Sequence, residues 1–88
     1  MLAADYTGQF KRDYKLAMKR GFDISLIDNI IRDLINEKPL QEKHKDHALS
    51  GDYIGYRECH VKPDWLLIYQ SGNGVIVFER TGSHSDLF

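Results

Sequence analysis

The chain has 88 residues, 42% hydrophobic and 28% charged, a composition that suits one globular domain over residues 1–88 and leaves no room for a second catalytic domain. Twelve Lys plus Arg against thirteen Asp plus Glu give a formal charge of −1, so any contact with nucleic acid must rest on local charge rather than on an overall basic character. Cys59 is the single cysteine, which excludes an internal disulfide; with no apolar run that could span a bilayer or act as an export signal, the expectation is a cytoplasmic chain with no membrane partner.

Along the chain, residues 2–6 read as a short strand. Residues 7–20 place Phe10, Tyr14, Ala17 and Met18 at helical spacing, and Gly21 follows where a C-terminal cap belongs. The segment "KRDYKLAMKR" in this helix is basic, which makes it either a phosphate-facing surface or an ordinary solvated face. Asp23 is a candidate cap for a second helix whose Ile24, Ile27, Ile30, Ile31, Leu34 and Ile35 share a side, with Pro39 soon after its end. Two helices separated by about three residues fold back as a hairpin. Residues 44–52 read as a loop, and Tyr53–Lys62, Trp65–Gln70 and Val75–Arg80 read as strands separated by the turns "KPDW" and "SGNG". The expected fold is α+β: an antiparallel sheet of about four strands covered on one face by the two-helix hairpin.

A register follows from the turns. With Pro63 and Asp64 central in the first, Lys62 faces Trp65 and His60 faces Leu67; with Gly72 and Asn73 central in the second, Gln70 faces Val75, Leu67 faces Phe78 and Trp65 faces Arg80. The helices would then cover Cys59, Val61, Leu66, Ile68, Val75 and Val77. The open face would carry Tyr56, Glu58, His60, Lys62, Trp65, Leu67, Tyr69, Phe78 and Arg80, with Lys62, His60, Trp65 and Arg80 converging near Pro63.

Such a cluster suits RNA cleavage without a metal or other cofactor. The reaction needs a base for the 2′-hydroxyl proton, cations around the crowded phosphorane and an acid for the departing 5′-oxygen. Histidine titrates in the right range, and a positioned acid or base contributes about 10² to 10⁴-fold. Trp65 or Phe88 can supply a platform for a stacked base. Each residue also has an ordinary use: His47 can bond backbone in its loop, His60 can be a satisfied sheet histidine, Asp64 suits a turn, Trp65 suits a core, and Arg80 can pair with Glu58 or Asp64. His84, in a Gly- and Ser-containing tail, has less structural use. "HKDH", with His44 and His47, has metal-ligand spacing only on a helix, and a loop is expected here. Cys59, adjacent to His60, points to the opposite side of its strand and belongs with the apolar layer.

The segments "DHALSG", "YRECHVKPDWLLIY", "FERTGSH" and the terminal "DLF" resemble the YafQ branch of the RelE-type toxins of bacterial toxin–antitoxin pairs. The resemblance implies a RelE-like fold and a ribosome-dependent mRNA endoribonuclease that cuts in the ribosomal A site. It implies functional roles for His47, His60, Asp64, Trp65, Arg80, His84 and Phe88: His84 in proton transfer, Arg80 on the phosphorane, and Phe88 positioning RNA. Lys62 and Trp65 join Phe88 as expected RNA contacts. The implied partners are messenger RNA, the ribosome and a cognate antitoxin, in a complex with two copies of each chain. ParE-type toxins, which share the scaffold and block DNA gyrase without catalysis, stand as the alternative.

Overall fold

The computed structural model describes residues 1–88. Its elements are β1 (Ala3–Tyr6), α1 (Gly8–Lys19), α2 (Ile24–Ile35), β2 (His47–Ala48), β3 (Arg57–Lys62), β4 (Trp65–Gly72), β5 (Val75–Gly82) and α3 (His84–Leu87), with 3₁₀ turns at Glu42–His44 and Gly51–Tyr53. The strands form one sheet in the order β1-β5-β4-β3-β2. β1 runs parallel to β5 and the other neighbours are antiparallel, so the sheet is mixed and has five strands where four antiparallel ones were expected.

Local chemistry sets the helix ends. The Thr7 hydroxyl accepts from the Phe10 amide at 2.9 Å and donates to the Glu79 carbonyl at 2.8 Å, so one group starts α1 and ties it to β5. Gly21, at φ 78°, closes α1, and the Asp23 carboxylate accepts from the Ser25 amide to open α2. Between the helices the Tyr14 hydroxyl donates to Asp28 at 2.8 Å; burial and then that carboxylate push the phenol up to about 12. Ile27, Ile30, Ile31 and Leu34 form the buried stripe of α2.

The helices cover Cys59, Val61, Trp65, Leu67, Tyr69, Ile76 and Phe78, which form the main core with Phe10, Ala17 and the α2 stripe. Leu66, Ile68 and Leu87 form a smaller apolar cluster, flanked by Leu49, Tyr53 and Tyr56. The expected faces of β4 and of Phe78 are therefore reversed, and the register differs from the expected one at three places. The second turn centres on Asn73 and Gly74, at φ 53° and 80°, which places Gly72 opposite Val75 and Gln70 opposite Val77. A tight hairpin turn needs positive φ at both central residues, and Asn-Gly supplies them. The new turn moves the β4–β5 pairing by two residues and keeps the faces. The reversal comes from a one-residue bulge in β3 between His60 and Lys62, and β5 accommodates Glu79 as an extra residue between the Ile68–Arg80 and Tyr69–Phe78 pairs, which returns Arg80 to the side of the histidines. Lys62 does face Trp65, but His60 faces Leu66, and Leu67 faces Thr81.

Two further elements were not expected. The 44–52 segment contains β2, whose His47 and Ala48 pair with Glu58 and Arg57. The last residues form α3, capped by Ser83 with reciprocal bonds to Asp86, and Leu87 docks it onto Leu66 and Ile68. Arg20 at the end of α1 grips Asp86 at 2.7 and 3.2 Å, which together with the Ser83 amide holds that carboxyl well below its usual range. A Cβ at Gly82 would come within 3.0 Å of Asp86, so the approach of α3 to β5 requires glycine there.

Ile27 is fully buried between α2 and the sheet. Ile27→Ala should lower stability by about 2–5 kcal/mol. Urea unfolding should show this as a lower midpoint with an unchanged slope.

Candidate active site

The open face of the sheet is organised by two rows of paired residues. His47, Glu58, Ile68 and Arg80 are successive partners across β2, β3, β4 and β5; His60, Leu66 and Gly82 form the neighbouring row. Directly paired residues share a face, so the register gathers two histidines, a carboxylate and an arginine on one side. α3 adds a third histidine from the end of β5. The His47 and His60 rings lie 6.3 Å apart and the His60 and His84 rings 5.9 Å apart, a line of three imidazoles.

Each ring is oriented through Nδ1. His47 Nδ1 lies 2.6 Å from the Lys45 carbonyl and His60 Nδ1 lies 3.3 Å from the Pro63 carbonyl. A carbonyl oxygen only accepts, so both bonds place the proton on Nδ1 and leave Nε2 as the reactive nitrogen. Both Nε2 atoms are 3.5 Å from the same Oε1 of Glu58, itself only 6% exposed. That distance is an ion-pair contact, beyond a strong hydrogen bond. Glu58 was placed on this face by its sequence position, yet was not singled out as a functional residue. The available signal was a carboxylate two residues before His60, hence on the same side of the strand.

His84 is held differently. One oxygen of Asp64, in the β3–β4 turn, accepts from the His84 backbone amide at 2.9 Å and contacts its Nδ1 at 2.7 Å. The backbone bond first, and the ring second, lower the Asp64 carboxyl below its ordinary value. An ionised carboxylate accepts only, so Nδ1 donates and Nε2 faces outward. Both groups are largely exposed, which leaves this pair accessible to a substrate.

Arg80 pairs with neither Glu58 nor Asp64. Its Nε and Nη2 donate to the Asp13 carboxylate at 2.8 and 3.3 Å, and this bonding raises its already high pKa. Asp13 also accepts from the Thr81 amide at 3.2 Å. The cause lies in the sheet: β1 ends with Tyr6 opposite Phe78, so the last part of β5 has no neighbour on that edge, and the buried carboxylate from α1 satisfies it. Sequence alone gave no sign of this contact, since Asp13 lies 67 residues from Arg80.

Trp65 is displaced from its expected place on the open face. Its ring is 3% exposed, meets Phe22 edge-on at 4.9 Å, and donates through Nε1 to the Thr81 hydroxyl at 3.0 Å. With no free ring face it offers no platform for a base. It braces the residue next to Arg80 instead. Phe88 is 64% exposed and meets Tyr53 edge-on at 5.7 Å, so it retains such a surface. Lys62 is exposed beside the turn that carries Asp64. His44, outside the expected site, contacts the His60 carbonyl through Nδ1 at 2.7 Å. Cys59 is fully buried, and burial pushes its thiol far up, away from nucleophilic use.

The chain matches the family model described as bacterial toxin of type II toxin–antitoxin system, YafQ, over residues 2–88. It is 46% identical over 85 residues to the mRNA interferase toxin YafQ of Escherichia coli strain K12, covering 96% of this chain and 92% of that protein. The crystal structure of YafQ from E. coli strain BL21(DE3) superposes with a TM-score of 0.95 at 43% identity, covering 100% of this chain and 99% of that one. YafQ in the E. coli DinJ-YafQ toxin–antitoxin complex gives 0.93 at 44% identity, with 99% and 97% covered.

The geometry sets the pH dependence of the Asp64–His84 contact. Because the folded Asp64 pKa is depressed, its contribution is present above the ordinary carboxylate value of about 3.9 and is lost as pH falls through the lower folded value. In His84→Gln the backbone bond remains, so the Asp64 midpoint, followed by carboxyl NMR, should rise only part of the way to that ordinary value. Removing Asp13 should cost more. Asp13→Asn leaves Arg80 without its charged partner and should destabilise the fold by about 1–3 kcal/mol, measured by urea unfolding.

Proposed function

The chain belongs to the YafQ family of bacterial type II toxin–antitoxin toxins, and from that premise we propose that it is an mRNA interferase cutting messages in the ribosomal A site by metal-independent acid/base chemistry on the open face of its sheet. The observation that carries this reading is the line of three imidazoles, each held through Nδ1, flanked by Arg80. In the reaction the 2′-oxygen attacks phosphorus, the bond to the 5′-oxygen breaks, and a 2′,3′-cyclic phosphate forms. One proton leaves the 2′-hydroxyl for a base and another reaches the 5′-oxygen from an acid.

His84 takes part through Nε2, with Asp64 holding its Nδ1 proton and balancing the charge of the imidazolium. His60 faces it at 5.9 Å and handles the second proton, with His47 and Glu58 setting its orientation and charge. Arg80 stabilises the phosphorane. Asp13 occupies Nε and Nη2, which leaves Nη1 for a phosphate oxygen and fixes the plane of the guanidinium. Phe88 and Lys62 contact the RNA, while Trp65 supports the site from within the core.

The ribosome presents the message, which accounts for an enzyme at a formal charge of −1. A cognate antitoxin holds the toxin inactive, with two copies of each chain in the complex. Support comes from the DinJ-bound relative and from the exposed apolar side chains of Tyr6, Leu16 and Met18. The curated E. coli relative is named an mRNA interferase, and no feature of the site favours the ParE-type, gyrase-blocking alternative.

Programmed ribosomes with excess EDTA test the reading. The wild type should cut at discrete A-site positions and leave 2′,3′-cyclic or 3′-phosphate ends, while His84→Gln should be slower by about 10² to 10⁴-fold. Intact message with both proteins would refute it.

A further inference from the structure

Four of the seven lysines, Lys38, Lys43, Lys45 and Lys62, line a single cleft of about 870 Å³ that runs from the end of α2 past the Glu42–His44 turn to β3. None of the four forms an ion pair, whereas Arg20, Arg57 and Arg80 are each matched with an aspartate. The only carboxylate in the lining is Asp33. In a chain at −1, this cleft gathers four unpaired lysines around one carboxylate, while a second cleft of equal volume between α1 and α2 holds Lys11, Lys15 and Arg32 with Asp28 but lies away from the histidines.

The cleft adjoins the proposed site at β3. His60 belongs to both, and His44, also in the lining, grips the His60 carbonyl at 2.7 Å and pins the turn between Lys43 and Lys45 to the strand. The volume falls in the range of clefts that enclose small organic molecules, about 300–1,000 Å³, so it accommodates sugar and phosphodiester rather than a bare anion. Lysines on flexible stems meet a phosphate backbone as mobile point charges and carry no base specificity.

We propose that this cleft is the track of the message strand leaving the scissile phosphate, its lysines holding the phosphodiesters of the nucleotides flanking the cut. The inference rests on the endoribonuclease reading and extends it to a binding subsite outside the histidine line. Its consequence is a division of labour: the open face carries the chemistry, and the cleft supplies affinity for the strand on one side of the cut.

The test is single-turnover cleavage of ribosome-bound message by the wild type, Lys38→Gln/Lys43→Gln, and a control, Lys15→Gln/Lys19→Gln on α1, all checked for equal urea midpoints. Messages are full-length or shortened on either side of the A-site codon. The double variant should raise the half-saturating toxin concentration about tenfold with an unchanged saturating rate. Its salt dependence should be shallower by about 1.4 in the log–log slope, for two lost single-strand phosphate contacts. Shortening the message on one side should weaken the wild type and abolish its advantage over the variant. Equal half-saturation in wild type and double variant, or an equal loss in the α1 control, overturns the inference while leaving the nuclease reading intact. So does a defect that persists on both shortened messages, which would assign the lysines to ribosomal RNA. Absence of wild-type cleavage removes the nuclease reading, and the inference with it.

Discussion

The carboxylate of Asp13 against the free end of β5 is the contact on which the remaining geometry depends. A sheet edge leaves backbone donors unpaired, and here β1 stops four residues short of the end of its neighbour. Asp13 meets the Thr81 amide at that edge and in the same gesture fixes the Arg80 guanidinium. Thr81 in turn receives the Trp65 indole and donates to the Leu66 carbonyl at 2.7 Å, so the polar chain crosses from helix to sheet edge to core. An arginine anchored through two of its nitrogens is preoriented for a phosphate. A free one would lose side-chain entropy on binding.

From this anchor the other groups follow by short connections. β5 continues through Gly82, close to Asp86, into α3, whose first residue is His84; Arg20 and Leu87 hold that turn from opposite sides. The β3–β4 turn brings Asp64 to the same place. Thus a C-terminal residue that would fray by itself is fixed by a cap, an ion pair and an apolar contact. The histidines at the β2 end are oriented instead by backbone carbonyls and share one nearly buried carboxylate. Two differently built halves therefore meet at His60.

Much of this was readable from residue order, and the failures have identifiable causes. Helical spacing of isoleucines, the Asp23 cap and the Gly21 stop defined the helix pair, because those signals are local. The strands were placed, but their faces were not. Bulges at Val61 and Glu79 shift register by one residue each, and no local residue type announces them. Centring the second turn on Asn73-Gly74 rather than Gly72-Asn73 slips the β4–β5 pairing by two residues and leaves the faces alone. The bulge at Val61 moves Trp65 from the open face into the core, and the bulge at Glu79 returns Arg80 to the side of the histidines. The Asp13–Arg80 pair, joining residues from opposite ends of the chain, depends on the tertiary fold alone. β2 has only two residues, too short for an alternating pattern, and α3 is a single turn stabilised by capping rather than by propensity.

The account places proton transfer in the Asp64–His84 pair, and the most direct test is the pH dependence of single-turnover cleavage on programmed ribosomes for the wild type and Asp64→Asn. The asparagine keeps a hydrogen-bond acceptor for the His84 amide and removes the charge that balances the imidazolium. The predicted result is a slower reaction with its pH profile displaced, at unchanged affinity of the toxin for the ribosome. Superimposable profiles with equal rates would contradict the account, because the pair would then have no part in moving the proton.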